Sequence, residues 1–169
     1  MDTLKEKNVK GSFFLNGGIF KYDQEIVKRI SDEGHLVCNH TENHKNLSKI
    51  SDFETYKYEI EKVEERFKEL TGKEIAKFIR PPEGELNEKS LEYNQKLGYK
   101  TILWSLAYAD WDNNDQMLQD KAIKTVLDRT HNGAVVLLHP TSKTNSEILG
   151  TLIDTWRNSG YEFKTVDCL

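Results

Sequence analysis

Residues 11–39, GSFFLNGGIFKYDQEIVKRISDEGHLVCN, contain two short β-rich runs on either side of an amphipathic segment. The runs at 11–16 (GSFFLN) and 36–39 (LVCN) have the composition of strands. A helix is predicted over Tyr22–Glu33, with Gly34 as its stop signal, from apolar positions that share one helical face: Ile26, Val27 and Ile30. This order of strand, helix and strand predicts a parallel β-α-β unit.

The same alternation continues to the end of the chain. The strongest helix prediction is Ser51–Leu70, which opens with the capping-box pair Ser51 and Glu54 and ends at Gly72. Other helices are predicted over Asn87–Leu97, over Gln116–Arg129, and from the capping-box pair Thr144 and Glu147 to Gly160. Further strands are predicted at 77–80, 100–105, 134–138 and 162–166. The fold class that this pattern predicts is α/β, with a parallel sheet or barrel.

Two segments of this pattern have a particular character. The run AVVLL at 134–138 is apolar throughout, which is typical of a strand buried on both faces. Residues 2–7 have the pattern of the end of a helix, yet no strand precedes them as the alternation requires.

Composition excludes several classes of protein. The 169 residues include 24 basic and 28 acidic ones, without the basic surplus of a nucleic-acid-binding protein. Mean hydropathy is −0.70, and no apolar run approaches the roughly 20 residues of a membrane span. Residues 1–7 carry no apolar signal segment. The two cysteines, Cys38 and Cys168, are too few for a disulfide framework. We therefore expect one folded domain over residues 1–169.

Polar side chains follow the predicted strands where each strand ends: Asn16, His40, Arg80, Asp110 and His139. In parallel α/β folds the functional residues lie just beyond the carboxyl ends of the strands. We therefore expect these side chains to converge at one end of the fold.

His40 and His44 form an HxxxH pair in the segment HTENH. A spacing of four places both imidazoles on one face of a helical turn, where they can share one metal ion. The alternative is a pair of surface or capping histidines. The segment also lacks the glutamate that follows the first histidine in the zincin motif.

Arg80 opens the segment RPPEG, in which two prolines and a glycine predict a rigid turn. An arginine at this position can hold a carboxylate through two hydrogen bonds. The alternative is an ordinary turn with a solvent-facing arginine.

His139 ends the apolar run LLH, where partial desolvation suits a general acid. A hydrogen-bonded histidine at the edge of the core is an equal alternative.

Asp110 and Trp111 begin the acidic loop DWDNND. The loop lacks the glycine and the final glutamate of a calcium-binding loop. A tryptophan beside carboxylates is typical of sugar-binding grooves, since its ring packs on the apolar face of a sugar. The alternative is a turn with an anchoring tryptophan.

Taken in order, HTENH, RPPEG, the Asp110–Trp111 pair and LLH resemble the motifs of the polysaccharide deacetylases. These are the NodB-homology proteins of carbohydrate esterase family 4, and the resemblance covers nearly the whole chain. GSFFLNG, SDEGHLVCNHT, FIRPPEGE, ILWSLAYADWD and VVLLHPTS are most similar to the δ-lactam-forming muramic acid deacetylases of spore peptidoglycan. The resemblance implies a distorted, incomplete (β/α) barrel, here without its first strand.

The same resemblance implies a hydrolase that removes acetyl groups from amino-sugar polymers with one divalent metal ion, commonly zinc. His40 and His44 would bind the metal, and Thr41 would brace their loop. His139 would be the general acid, and Arg80 would hold the catalytic aspartate. Asp110 would be a further catalytic residue that lines the groove near that aspartate. The resemblance assigns substrate binding to Trp111, Tyr108, Pro82, Gly84 and Leu138.

One family motif is missing from these 169 residues. The Thr-Phe-Asp-Asp-Gly motif of the family's first strand supplies the catalytic base and the third metal ligand, and this sequence contains no Asp-Asp pair. We expect the motif upstream of residue 1, in a domain truncated at its N-terminus. The chain shown would then bind metal weakly through two histidines and be inactive or nearly so.

Two other functions remain open at this point. The first is a catalytically dead carbohydrate-binding module in which Trp111 and Tyr108 are sugar platforms. The second is a glycosidase that uses Asp110 or Asp112 with Glu83. It is the less favoured of the two, because it would give the HxxxH pair no role. The partner expected by resemblance is an N-acetylated glycan, peptidoglycan or chitin-like, in the cell wall or outside the cell; the oligomeric state is left open.

Overall fold

The computed structural model describes residues 1–169 and consists of two compact units. The sheet unit comprises residues 10–103 and 164–169, and the helical unit comprises residues 1–9 and 104–163. Seven α-helices occur along the chain: α1 (Asp2–Glu6), α2 (Ile19–Tyr22), α3 (Gln24–Asp32), α4 (Phe53–Thr71), α5 (Glu88–Lys96), α6 (Gln119–Asp128) and α7 (Lys143–Asn158). None of them is long and apolar enough to cross a membrane.

The sheet unit contains one open sheet of four parallel strands in sequence order: β1 (Ser12–Leu15), β2 (Leu36–Asn39), β3 (Ala76–Ile79) and β4 (Lys100–Thr101). Each strand pairs with the next in parallel, and the register between β2 and β3 shifts at Cys38 and Asn39. The predicted β-α-β unit of residues 11–39 is therefore confirmed, and so is the α/β class with a parallel sheet.

Six buried residues of the sheet unit form one core cluster, which includes Ile79 of β3: Leu47, Tyr56, Ile60, Ile79, Tyr93 and Tyr99. Helix α4 contributes Tyr56 and Ile60 from the predicted apolar stripe, and both are fully buried. Gly72 ends this helix as predicted, because its left-handed φ of 71° lets its N–H donate to the Lys68 carbonyl at 2.8 Å.

Helix starts follow the side chain that can reach the first free N–H groups, and two of the three predicted caps are wrong. Asp52, not Ser51, caps α4 by accepting from Thr55 N at 2.8 Å. Ser142, not Thr144, caps α7 by accepting from Asn145 N at 3.1 Å. Asn87 caps α5 as predicted.

The helical unit contains α1, α6 and α7, and the apolar faces of α6 and α7 contribute to a second core cluster: Leu106, Tyr108, Ala122, Val126, Ile148, Leu152 and Trp156. Helix α1 confirms the helical pattern at the start of the chain. It is tied to α7, since Lys7 pairs with Asp154 at 2.5 Å and its carbonyl accepts from the Arg157 guanidinium.

Three strand predictions are wrong in extent. The strand predicted at 100–105 is limited to β4, and the segment 162–166 forms no strand. The run at 134–138 makes a single parallel bridge between Val136 and Leu106. Ala134 and Leu138 pack against the core cluster, whereas Val136 is 39% exposed and none of the five residues is fully buried, so this run is only partly covered. Apolar composition therefore overstated its burial.

His35 makes the sheet unit sensitive to acid. Its buried Nδ1 accepts from Gly11 N at 3.1 Å, so protonation would replace an acceptor with a second donor. Burial, followed by the charge of Lys10, lowers the pKa of His35 below its ordinary value of 6.5.

We expect the free energy of unfolding to fall as the pH decreases below 6.5, because the unfolded chain then binds a proton that folded His35 resists. His35→Asn keeps an acceptor near Gly11 N but does not titrate, so its loss of stability over the same interval should be smaller. Urea unfolding above and below this pH measures the difference. Equal losses in the two proteins would contradict this role for His35.

Candidate functional site

In the sheet unit, the two candidate metal ligands lie on the histidine loop, which is residues 40–45 (HTENHK). The loop follows β2 and is irregular, since Thr41 and His44 have φ values of 68° and 53°. The predicted helical turn is therefore wrong. The two imidazole rings nevertheless contact each other, with centroids 4.8 Å apart and planes at 80°. Left-handed backbone at two non-glycine residues brings the rings together in place of helical spacing.

The tautomer of His40 is determined by its neighbour. Nδ1 lies 2.6 Å from the Arg80 carbonyl oxygen, which can only accept, so Nδ1 donates in this contact. Nε2 of a neutral His40 then carries the lone pair that a metal ion requires. His40 is 7% exposed, and His44 is exposed.

Arg80 is held at the end of β3 by its backbone. Its N–H donates to the Asn39 carbonyl at 3.1 Å, and its guanidinium lies over the Phe14 ring, 5.4 Å from the centroid. The predicted rigid turn follows, with Pro82 buried and Gly84 in the left-handed region at φ 73°. The turn places the Arg80 carbonyl where His40 donates to it.

Two buried carboxylates that the sequence analysis missed anchor the histidine loop to α4. Glu42 is 6% exposed and accepts from the Arg66 guanidinium through both of its oxygens, at 2.7–3.2 Å. Glu59 is fully buried and accepts from the backbone and side-chain N–H groups of Asn43 at 2.8 and 2.9 Å. Lys45 also pairs with Glu59, at 3.1 Å.

Thr41 lies inside this arrangement and is fully buried. Its N–H donates to Asn39 Oδ1 at 2.9 Å, while its hydroxyl has no hydrogen-bond partner. Asn39 in turn donates to the Ile60 carbonyl at 2.9 Å. The backbone of Thr41 is thus connected through Asn39 to α4.

The donors present account for part of a metal site. Two imidazoles suit a divalent ion such as zinc, but no group of three His, Cys, Asp or Glu side chains in residues 1–169 could hold one. Cys38, on β2 two residues before His40, is fully buried, and burial raises the pKa of its thiol to about 12. The thiol therefore remains protonated and is a poor ligand.

In the helical unit, Asp110 and His139 form a hydrogen-bonded pair. Asp110 Oδ1 lies 2.6 Å from His139 Nδ1, and Oδ2 accepts from the His139 backbone N–H at 2.7 Å. Asn145 Nδ2 donates to the same Oδ2 at 2.5 Å. Asp110 is 2% exposed, whereas 31% of the His139 side chain remains accessible.

Burial raises the pKa of Asp110, but the hydrogen bonds from His139 and Asn145 outweigh it, so the pKa lies below its usual range. Asp110 is therefore ionised at neutral pH and accepts the Nδ1 proton of His139. Because three donors already engage its oxygens, Asp110 is poorly placed to act as the acid or base of a glycosidase.

The aromatic candidates of this unit differ in exposure. Trp111 is 64% exposed, and its ring centroid lies 6.4 Å from that of His139. Tyr108 is 5% exposed in the core cluster, and its hydroxyl donates to Asn145 Oδ1 at 2.5 Å. The prediction of Tyr108 as a sugar platform is wrong, because its ring is covered by protein. Leu138 is partly buried against the same cluster.

A family model described as polysaccharide deacetylase matches residues 1–102. The chain is 37% identical over 170 positions to the peptidoglycan-N-acetylmuramic acid deacetylase PdaA of Bacillus subtilis, covering 100% of this chain and 64% of PdaA. The chain therefore belongs to the polysaccharide deacetylase family and spans just under two thirds of the length of this relative.

Two solved structures extend the comparison. The structure of Bacillus subtilis PdaA, a family 4 carbohydrate esterase, matches with a TM-score of 0.95 and 36% identity over 99% of this chain and 71% of that chain. BA3943, a family 4 pseudoenzyme from Bacillus anthracis, matches with a TM-score of 0.89 and 26% identity over 99% and 58%. The open parallel sheet and these matches confirm the incomplete barrel of the NodB type.

The backbone of Gly17 lies directly against the histidine loop, since its N–H donates to the Thr41 and Glu42 carbonyls, both at 3.1 Å. A Cβ at Gly17 would overlap the Glu42 carbonyl and carboxylate. We expect Gly17→Ala to lower the free energy of unfolding by about 1–3 kcal/mol, the usual cost of overpacking. Gly11→Ala is the control, because its Cβ would meet Phe13 at an ordinary 3.5 Å. Equal stability of the two variants in urea unfolding would refute the close approach.

Glu59→Gln tests the anchor on α4. The amide loses the charge that pairs with Lys45 and turns a donor toward Asn43, so we expect about 1–3 kcal/mol of destabilisation in urea unfolding. Glu61→Gln is the control, since Glu61 makes only a 3.8 Å surface pair with Lys57 and should change stability by less than about 0.5 kcal/mol. An unchanged Glu59→Gln protein would show that the anchor contributes nothing.

Proposed function

We propose that the protein serves the hydrolysis of N-acetyl groups on the amino sugars of peptidoglycan. The observation that carries the proposal is the ionised, buried Asp110 bonded to Nδ1 of the partly exposed His139. This arrangement holds an imidazole in one orientation with Nε2 left for proton transfer. Membership of the polysaccharide deacetylase family supports the choice of reaction.

His139 acts as the general acid in this proposal. Amide hydrolysis expels an amine, which is a poor leaving group until it is protonated. Doubly protonated His139 donates its Nδ1–H to the Asp110 carboxylate and delivers its Nε2 proton to the departing nitrogen. Asp110 keeps its charge during this transfer and contributes by orientation and electrostatics.

In this proposal, the histidine loop provides two ligands for a metal ion. His40 and His44 would hold a divalent ion, most simply zinc, which supplies Lewis-acid chemistry at the acetyl carbonyl when bound. His40 presents Nε2 because its Nδ1–H donates a hydrogen bond to the Arg80 carbonyl, and Thr41 gives the loop its turn. By family resemblance, the Arg80 side chain holds the catalytic aspartate.

The catalytic base and the third metal ligand of the family belong to an Asp-Asp pair that residues 1–169 do not contain. We therefore propose that these residues alone form a polysaccharide deacetylase domain without its first strand. In this form the chain would bind metal weakly and be inactive or nearly so.

For the substrate, we propose a muramic acid residue of peptidoglycan, in the cell wall or outside the cell and, by the motif resemblance, in spores. The relative named for N-acetylmuramic acid supports this choice. Trp111 offers an exposed ring near His139 for a sugar face. By family resemblance alone, Pro82, Gly84 and Leu138 would also bind the substrate.

A second candidate is a carbohydrate-binding module without catalysis. The missing Asp-Asp pair and the similarity to a family 4 pseudoenzyme support it. In this case Trp111 alone, and not Tyr108, would be the aromatic platform.

Acetate release from muramic and glucosaminyl oligomers with zinc tests the proposal. We expect little release by the 169-residue chain and strong release after a strand carrying Thr-Phe-Asp-Asp-Gly is added before Met1. His139→Gln in the extended protein should lower kcat by about 10²–10⁴, the usual contribution of a general acid. His131→Gln, on the exposed surface, is the control.

The outcomes separate the two candidates. Glycan binding without acetate release by the extended protein would support the binding module. Release by the unextended chain at a rate equal to that of the extended one would overturn the assignment of the base to the missing motif.

A further inference from the structure

The side chain of Asn145, near the start of α7, has all of its hydrogen-bonding groups engaged around the Asp110–His139 pair. Asn145 is 5% exposed, and Nδ2 donates to Asp110 Oδ2 at 2.5 Å and to the His139 carbonyl at 3.1 Å. Oδ1 accepts from the Tyr108 hydroxyl at 2.5 Å. Asn145 lies outside the family motifs, the last of which ends at Ser142.

The orientation of the Asn145 amide follows from the chemistry of its partners. An ionised carboxylate and a backbone carbonyl can only accept, so the NH₂ group must face Asp110 and His139. A flipped amide would set three acceptor oxygens against one another in a buried site. Tyr108 opposes the flip, because its hydroxyl donates to the remaining Oδ1. The buried Tyr108 hydroxyl thus keeps the Asn145 NH₂ group directed toward Asp110.

Asn145 also links the two residues of the pair. The same NH₂ group contacts the Asp110 carboxylate and the His139 carbonyl, and the His139 backbone N–H returns to Asp110. These bonds occupy Oδ2 of Asp110 and leave Oδ1 for His139 Nδ1. Without Nδ2, the Asp110 carboxylate could rotate and its contact with Nδ1 would weaken.

We propose that Asn145, oriented by Tyr108, is a positioning residue that holds Asp110 so that His139 keeps its proton on Nδ1. The inference rests on the proposed role of His139 as an acid that works through Nε2. Asn145 does not touch the reacting atoms in this role.

The tautomer of His139 is the readout, because it can be measured without catalysis. In the ¹⁵N-labelled 169-residue chain at alkaline pH, where imidazoles are neutral, long-range ¹H–¹⁵N spectra distinguish the Nδ1–H form from the Nε2–H form. We expect the Nδ1–H form in the unsubstituted chain. Asn145→Leu should shift the tautomer ratio toward Nε2–H by about fivefold, the size expected for one hydrogen bond.

Asn158→Leu, at the exposed end of the same helix, is the matched control and should leave the ratio unchanged. Tyr108→Phe keeps the ring in the core and removes only the hydroxyl, so it should cause a smaller shift in the same direction. It also decides the question if Asn145→Leu does not fold.

An unchanged ratio in folded Asn145→Leu, or in Tyr108→Phe where Asn145→Leu is unfolded, would overturn the inference. An equal shift in Asn158→Leu would do the same. A shift confined to Asn145→Leu and Tyr108→Phe supports the positioning role. If acetate is never released while this shift is observed, the proposed function fails and the positioning role stands.

Discussion

In each unit, one candidate histidine has its Nδ1 occupied by a protein oxygen. His40 donates to the Arg80 carbonyl and His139 to the Asp110 carboxylate, both at 2.6 Å. An imidazole with Nδ1 held in this way has Nε2 as its other ring nitrogen, which in the proposed roles carries the lone pair of His40 and the transferred proton of His139. The two roles proposed for these side chains therefore depend on the same constraint, with a neutral acceptor in one unit and an ionised one in the other.

Buried polar groups support the segments that carry these histidines. Their burial costs desolvation free energy, which the surrounding contacts offset. Glu42 and Glu59 would be unfavourable in the interior of the sheet unit without Arg66, Asn43 and Lys45. Their bonds secure a loop whose left-handed residues would otherwise adopt other conformations. In the helical unit, Asn145 and the His139 backbone satisfy Asp110 in the same manner. Polar networks of this kind favour one arrangement of side chains over its alternatives.

Much of the fold was predictable because local periodicity reflects burial. The stripe on α4 and the alternation of residues 11–39 correspond to buried residues and to parallel strands. The capping residues of the helices were harder to predict, because nearby polar side chains can each accept from the same N–H groups. Loop geometry determines which of them does so. The burial of the run at 134–138 was overestimated because apolar composition does not determine how much of a segment the rest of the fold covers.

The sequence by itself determined the order of motifs and the α/β class, and it identified the candidate metal ligands, His40 and His44, and the proposed acid, His139. Only the tertiary structure decided that Asp110 faces His139, that Tyr108 is buried, and that Glu59 and Asn145 support the two candidate groups. These contacts join residues that lie 16 to 37 positions apart in the chain. Periodicity and motif spacing describe near neighbours, whereas hydrogen bonds between distant segments exist only after the chain has folded.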